Sequence, residues 1–183
     1  MKILAFAAST SRQSINYQLT RAAADILIAQ LPGTKIEFLD LNDYEMPIYS
    51  IDREKEGGIP DLAHQFFAKI GAADGLIVSY AEHNGLYAAA FKNVFDWASR
   101  IDMRVFQDKP KLAMAASVGK NGGANVLKTA IGSAPFFGAD IKASFSLARF
   151  NETFDPVTRI PRDPDTRAEF ESAVSMFARS IKA

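Results

Sequence analysis

Five short apolar runs alternate along the chain with longer segments of helical periodicity, and this alternation constrains the fold more than any other feature. The runs are typical of strands, and they are KILAFAA (2–8), KIEFLDL (35–41), DGLIVSY (74–80), KLAMAASV (111–118) and ADIKASFSLARF (139–150). Strands that alternate with helices usually form a parallel sheet with right-handed crossovers. The pattern therefore predicts an α/β fold in which helices cover both faces of a parallel sheet.

The segments between the strands predict the covering helices. Residues 14–31 place Ile15, Leu19 and Ala22 on one helical face, and Pro32 ends that helix. Further helices are predicted at 60–70, 85–101, within 121–137 and at 163–182, and irregular connections at 42–58 and 150–165. The apolar stripes are predicted to be Leu86, Ala90, Val94, Trp97 and Ile101 in the third helix and Phe170, Val174 and Phe177 in the last. The smallest common architecture that fits is a flavodoxin-like three-layer sandwich with a five-stranded parallel sheet of order 2-1-3-4-5, built as a single domain, 1–183.

Composition narrows the function classes. Lys plus Arg equals Asp plus Glu at 21 each, so we expect no nucleic-acid partner and no membrane partner. The chain has no Cys and two His, which argues against disulfides, thiolate nucleophiles and metal sites. Redox chemistry would therefore need an organic cofactor. The first apolar run is shorter than the roughly 7–15 residues of a signal-peptide core, so we expect a cytoplasmic location.

The fold selects three loops as the place for a ligand, because open α/β sheets bind ligands at the carboxyl ends of strands near the reversal of strand order. The loop after the first strand, STSRQSIN (9–16), sets hydroxyl and amide groups before a helix that begins near Ser14, Ile15 and Asn16. Free N–H groups and the positive end of a helix dipole there would suit a monoester phosphate. In the alternative interpretation Ser14 is only an N-cap and the other hydroxyls are ordinary turn residues. The residues alone leave both open.

The other two selected loops are also unusual. AEHNG (81–85) places several polar groups between a buried strand and a helix, where they need hydrogen-bond partners. In the alternative interpretation, Glu82 forms a salt bridge near a helix N-terminus and His83 is a surface residue at a helix start. SVGKNGG (117–123) has three glycines in seven residues, which would let the backbone approach a flat ligand and aim N–H groups at it. The alternative is a loose connection between a strand and a helix.

These three segments together resemble the NADPH-dependent FMN reductase family of flavodoxin-like proteins, which includes quinone, azo-dye and chromate reductases. STSRQSIN is similar to the family's Ser-rich phosphate loop that ends in Ser-x-Asn, and SVGKNGG is similar to its Ser-x-Gly-x-x-Gly-Gly loop. AEHNGLYAAAFKNVFDWASR is similar to its Pro-Glu-Tyr-Asn segment and its Lys-Asn-x-x-Asp-Trp helix. The sequence departs from the common pattern at Ala81, His83 and Leu86, and it has Ser11 followed by Arg12 where many members have Arg.

The resemblance implies a site for FMN, with NADPH or NADH as co-substrate. It places the FMN phosphate against Ser9, Ser11, Ser14, Ile15 and Asn16. It places the isoalloxazine between two sets of residues, Ala81, Glu82, His83 and Asn84 on one side and Ser117, Gly119, Gly122 and Gly123 on the other. Lys92, Asn93, Asp96 and Trp97 would then serve helix packing and a subunit interface. The resemblance also implies a homodimer or homotetramer.

The expected function is an FMN-dependent NAD(P)H oxidoreductase that passes electrons to a small acceptor: a quinone, azo or nitro compound, metal ion or free FMN. Side-chain acids and bases are not required, because the cofactor carries the chemistry, and His83 is a candidate for the acceptor site. Backbone N–H groups at 119–123 would stabilise negative charge near N1 and O2 of the flavin. One alternative is an FMN-binding electron carrier or flavin-storage protein, against which the zero net charge speaks. Another is a phosphate-binding regulatory domain, disfavoured because Ser9 and Tyr80, not Asp, begin the loops after strands one and three.

Overall fold

Five parallel strands form the central sheet of the computed structural model, which describes residues 1–182. The strands are β1 (Lys2–Ala8), β2 (Lys35–Leu39), β3 (Gly75–Tyr80), β4 (Lys109–Ala116) and β5 (Ala139–Leu147). Their order is β2-β1-β3-β4-β5, and every neighbouring pair is parallel. The structure thus confirms the predicted sheet and its order. The reversal of strand order lies between β1 and β3.

Within residues 1–182, six helices have seven or more residues: α1 (Ile15–Gln30), α2 (Ile51–Gly57), α3 (Asp61–Gly71), α4 (Ala89–Ile101), α5 (Ala124–Ser133) and α6 (Pro164–Ser180). Alternate residues of a strand point to opposite faces of the sheet, so each face has its own apolar core. Phe6 of β1 lies in one of these cores and Ile77 of β3 lies in the other. Helices α3, α4 and α5 pack on one face, and α1 and α6 pack on the other. The predicted inward residues Phe170, Val174 and Phe177 of α6 are fully buried, as expected.

The structure corrects the start of the third predicted helix. Helix α4 begins at Ala89, and the preceding residues form a small antiparallel hairpin of Glu82–His83 with Leu86–Tyr87. The central turn residues Asn84 and Gly85 have φ of 53° and 80°. Positive φ at both positions is the requirement of a type I′ turn, which Asn-Gly meets better than almost any other pair. Leu86 therefore does not join the buried stripe of α4, and its side chain is 60% exposed.

The segment predicted to be irregular after β2 contains two short helices. A 3-10 turn spans Leu41–Tyr44, capped by the carboxylate of Asp40, and α2 is capped by Ser50, whose hydroxyl accepts from the N–H of Arg53 at 3.2 Å. The signal was Ser50 followed by acidic residues in the first turn, a normal N-terminal pattern. A second small hairpin, Phe154–Asp155 with Ile160–Pro161, lies in the predicted connection before α6. Within residues 1–182, no helix has the length and apolar character to cross a membrane.

Candidate functional site

Asn16 brings the selected loops together at the carboxyl edge of the sheet. Its side-chain oxygen accepts from the hydroxyl of Ser79 and from the N–H of Ala116, both at 2.8 Å, and its amide nitrogen donates to the carbonyl of Ala116 at 3.2 Å. The side chain is 3% exposed. One buried amide therefore fastens the start of α1 to the ends of β3 and β4. These bonds use the side-chain oxygen and one of the two amide N–H groups, so the side chain is fixed in position.

The loop after β1 is an open cradle of donors. Ser14 is the N-cap of α1, where its hydroxyl accepts from the N–H of Tyr17 at 3.2 Å. The N–H groups of Ile15 and Asn16, the first two of the helix, have no acceptor within residues 1–182. Ser11 and Arg12 are exposed beside them. Ser14 can therefore be the N-cap while the loop binds an anion, because the cap uses the N–H of Tyr17 and leaves those of Ile15 and Asn16 available.

Two cavities border this loop. One of about 210 Å³ is lined by Ser9, Ser11, Arg12, Ser14, Tyr17 and Phe38, between the loop and the end of β2. The other, of about 390 Å³, is lined by Thr10, Tyr44, Met46, Ala89, Ala90 and Asn93, between the loop and the start of α4. The loop therefore has accessible space on both sides. Residues 42–48 contribute to the second cavity, and they belong to the stretch that was predicted to be irregular and to shape the pocket.

The hairpin of residues 82–87 borders the candidate site on a second side, next to the loop after β1. Opposite residues of such a hairpin share a face, so His83 and Leu86 lie on its exposed face, and Glu82 and Tyr87 lie on its inner face. The carboxylate of Glu82 accepts from the N–H of Val126, in the first turn of α5, at 2.9 Å. Glu82 thus accepts a hydrogen bond from a helix N-terminus, and within residues 1–182 it forms no salt bridge. Asn84 provides the positive φ of the turn.

The glycine loop after β4, residues 117–123, borders the candidate site on a third side and packs closely against the sheet. Gly122 has a φ of 62°, and a Cβ there would lie 2.5 Å from the hydroxyl oxygen of Ser146 in β5. Gly123, with a φ of 79°, approaches β4 so closely that its Cβ would lie 2.9 Å from that of Ala115. Both glycines are therefore required by packing against the sheet. The N–H groups of residues 118–120 have no acceptor within residues 1–182.

Three further hydrogen bonds hold this loop. The hydroxyl of Ser117 donates to the carbonyl of Gly119 at 3.2 Å, and the N–H of Arg149 donates to the same carbonyl at 2.9 Å. The N–H of Ser117 donates to the carbonyl of Leu147 at 3.2 Å. The loop is therefore tied to the end of β5, and the interpretation of a loose connection does not fit it.

The polar residues of α4 serve packing. Asn93 accepts from the N–H of Tyr49 at 2.9 Å and donates to the carbonyl of Met46 at 3.0 Å. The ring N–H of Trp97 donates to the carbonyl of Pro47 at 2.7 Å, and its ring packs edge-on against Tyr49 at 5.0 Å. These contacts hold residues 46–49 across α4, which confirms the packing role predicted for Asn93 and Trp97.

Burial perturbs three ionisable groups, Tyr80, Tyr87 and Lys111. Burial raises the pKa of Tyr80 well above its ordinary value and raises that of Tyr87, which keeps both phenols neutral. Burial also lowers the pKa of Lys111 well below its ordinary value, and the ammonium group lies 3.4 Å from the ring centre of Phe106 and 5.2 Å from that of Tyr80. The sequence prediction missed this lysine, because a charged residue at the start of an apolar run ordinarily lies at the surface.

Comparison with known proteins identifies the family. The family model described as NADPH-dependent FMN reductase matches residues 1–151. The chain belongs to this family. The predicted resemblance is thereby confirmed.

Curated relatives agree with the family. The chain is 32% identical over 123 residues to an NADPH:quinone oxidoreductase of Arabidopsis thaliana, and the match covers 67% of this chain and 61% of that protein. It is 33% identical over 123 residues to a 2-hydroxy-1,4-benzoquinone reductase of a Burkholderia species, covering 67% of this chain and 63% of that protein. The matched part therefore spans less than two thirds of the length of either relative.

Solved structures share the fold over almost the whole chain. The flavoenzyme NAD(P)H:(acceptor) oxidoreductase FerB of Paracoccus denitrificans is 20% identical, with a TM-score of 0.74 and coverage of 99% of this chain and 97% of that one. An FMN-dependent NADH-azoreductase of Bacillus anthracis, solved in complex with FMN, is 14% identical, with a TM-score of 0.69 and coverage of 97% and 100%. At these identities the likeness shows the flavodoxin-like fold.

Proposed function

We propose that this protein binds FMN and transfers a hydride from NADPH or NADH, through the flavin, to a small acceptor. The observation that carries the proposal is the meeting of three polar loops at the carboxyl ends of β1, β3 and β4, in a chain of the NADPH-dependent FMN reductase family. A quinone is the favoured acceptor class, because two curated relatives are quinone reductases. Azo and nitro compounds, metal ions and free FMN are the other acceptors to be tested.

The residues of the first loop fit the FMN phosphate. The unused N–H groups of Ile15 and Asn16 point from the positive end of α1, and the hydroxyls of Ser9 and Ser11 lie on the same loop. Arg12 is exposed in the same cavity wall and supplies a positive charge beside them. In this proposal the side chain of Asn16 does not touch the phosphate. It holds the loop in place through Ser79 and Ala116.

The hairpin and the glycine loop fit the two sides of a flat ring. Residues 81–84 would line one side, and Ser117 and Gly119 the other. Gly122 and Gly123 would act by letting the loop close onto the sheet, as their approach to β5 and β4 indicates. The free N–H groups of residues 118–120 are the donors available to the ring edge.

No side chain is required to move a proton in this proposal. When bound, FMN supplies the group that takes up and returns the hydride, and the protein binds and orients the partners. The exposed His83 and Leu86 share the outer face of the hairpin and would contact the acceptor. If His83 has this role, His83→Ala raises the KM for the acceptor. An unchanged KM would remove His83 from the acceptor site.

The test is NAD(P)H oxidation by protein stripped of flavin. We expect no oxidation with a quinone alone, and oxidation of NADPH or NADH once FMN is added back in equal amount. Azo, nitro and metal acceptors, assayed alongside, would rank the substrate classes. Binding of FMN without NAD(P)H oxidation by any acceptor would favour the electron carrier or flavin-storage function.

The proposal includes self-association as a homodimer or homotetramer and a cytoplasmic location. Ile48 and Ile51 support the former, because they are 76% and 51% exposed on the segment beside the larger cavity. Apolar side chains exposed together often mark an interface. Sedimentation velocity at several protein concentrations tests the assembly, and a monomer at all of them would refute it.

A further inference from the structure

Helix α5 obtains its N-terminal cap from a distant part of the chain. Its N-cap residue is Gly123, which has no side chain to accept a hydrogen bond from the first turn. The carboxylate of Glu82 supplies the acceptor instead, at 2.9 Å from the N–H of Val126. The bond satisfies one of the N–H groups that a helix N-terminus leaves without an acceptor inside the helix.

The rest of the hairpin also rests on α5. A Cβ on Gly85 would lie 3.8 Å from the side-chain amide of Asn125, so the turn lies against the first turn of the helix. The strand Leu86–Tyr87, which pairs with Glu82–His83, also contacts α5. The ring of Tyr87 packs on Phe91 at 5.3 Å. The hairpin therefore packs against the first turn of α5, where the carboxylate of Glu82 holds it.

Helix α5 in turn follows directly from the glycine loop, whose position against β4 and β5 is fixed by Gly122 and Gly123. The bond from Glu82 to Val126 is therefore a direct link between the two loops that flank the proposed isoalloxazine site. A change in this link would alter the separation of the two walls without touching the ligand.

We propose that Glu82 is a positioning residue that sets the separation of the hairpin and the glycine loop, and that the length of its side chain, not its charge, is what FMN binding requires. This inference rests on the proposed function. Its basis is geometric, since the carboxylate reaches the N–H of Val126 with one oxygen and lines no cavity near the phosphate loop.

Three variants at Glu82 separate the effect of side-chain length on FMN binding from the effect of charge. Glu82→Gln keeps the chain length and a carbonyl acceptor but removes the charge, whereas Glu82→Asp keeps the charge and shortens the chain. Glu82→Ala removes both, and Glu152→Ala, at an exposed position, is the control. We expect Glu82→Asp and Glu82→Ala to bind FMN about tenfold more weakly than the wild type, and Glu82→Gln to bind within about threefold of it.

Hydrogen exchange of the flavin-free protein gives a readout without FMN. The N–H of Val126 should lose protection in Glu82→Asp and Glu82→Ala and keep most of it in Glu82→Gln. Circular dichroism and thermal melting establish that each variant is folded. Because Glu82→Asp retains the charged group, it keeps the test decisive if Glu82→Ala folds poorly.

The possible results distinguish a failure of this inference from a failure of the proposed function. Wild-type affinity in Glu82→Asp, or an affinity in Glu82→Gln as weak as in Glu82→Ala, would overturn the inference. Failure of the wild type itself to bind FMN would refute the proposed function instead, and it would be seen before any variant is compared. The expected order of affinity is wild type, then Glu82→Gln, then the two shortened variants.

Discussion

Replacing Asn16 by Ala tests how the site is held together. The substitution removes the three buried hydrogen bonds that the side chain makes with Ser79 and Ala116. Each such bond contributes about 0.5–1.5 kcal/mol, so we expect a loss of roughly 2–4 kcal/mol, the lower values applying where a water enters the space. For a chain of this size that loss lowers Tm by roughly 4–16 °C.

Urea unfolding followed by circular dichroism measures this loss, with Asn151→Ala, an exposed asparagine, as the control. FMN affinity should fall in Asn16→Ala as well, because the start of α1 is no longer fastened to β3 and β4. If Asn16→Ala were as stable as Asn151→Ala, the amide would not hold the loops and the reasoning would be refuted.

The isosteric variant Asn16→Asp adds a pH dependence. A carboxylate can accept the same two hydrogen bonds, but it faces the carbonyl of Ala116 and is buried, both of which raise the pKa of the introduced group in the folded state. A raised folded-state pKa means that the folded protein binds more protons than the unfolded chain. The variant should therefore be most stable at low pH and lose stability as pH rises through that pKa. Urea midpoints between about pH 4 and 8, compared with the wild type, measure it. An unchanged pH profile would contradict the assigned hydrogen bonds.

Three further predictions follow from the same structure. Gly122→Ala should destabilise the fold by roughly 2 kcal/mol or more, because φ is 62° and the new Cβ would lie 2.5 Å from a β5 hydroxyl, whereas Gly132→Ala, in open space on α5, should be neutral or stabilising. Lys111→Met should stabilise the protein by roughly 1–3 kcal/mol at pH 7, because it removes a buried amine. The wild type should gain stability relative to Lys111→Met as pH rises toward the ordinary lysine pKa of 10.5, since folded wild type binds fewer protons at Lys111 than the unfolded chain does. Ser14→Ala and Ser50→Ala each remove a helix N-cap worth about 1 kcal/mol, but only Ser14→Ala should weaken FMN binding. Equal melting temperatures for the two glycine variants, parallel pH profiles for the lysine pair, or equal FMN affinities for the serine pair would each refute the corresponding prediction.

The sheet could be predicted from the sequence because its central strands, β1, β3 and β4, are buried on both faces over most of their length. Such strands are continuous apolar runs, and Gly75–Tyr80 is buried at every position. The alternation of these runs with amphipathic helices leaves few topologies to consider, so the strand order followed from general rules of connection. The limits of each strand were less well determined, since β4 begins two residues before the predicted start, at Lys109.

The hairpin before α4 was missed although its signal was present. Asn84 and Gly85 are a strong type I′ turn pair, but the flanking strands are only two residues each, and Leu86 has the spacing of the apolar stripe of α4. The helical period of residues 90–101 was therefore extended too far toward the N-terminus. Turn chemistry, not periodicity, determines where this helix begins.

The meeting of the three loops could be predicted from the fold, whereas the hydrogen bonds of their side chains could not. Asn16 lies in the first of these loops, but its side-chain partners, Ser79 and Ala116, lie 63 and 100 residues away in the chain. Glu82 likewise bonds to Val126, 44 residues away, in the first turn of α5. Long-range hydrogen bonds leave no periodic pattern in a sequence. The family loops identified which residues matter, and the structure was needed to separate those that face the crevice from those that hold it open.

Titration of flavin-free protein with FMN, followed by anaerobic addition of NADPH and then NADH, tests the central claim most directly. Flavin fluorescence reports binding, and the visible absorbance of the flavin reports its reduction. We predict saturable binding of about one FMN per chain, followed by loss of the absorbance with at least one of the two nucleotides. Binding without that loss would contradict the oxidoreductase function, and failure to bind FMN would contradict the assignment of the loop at 9–16 as its phosphate site.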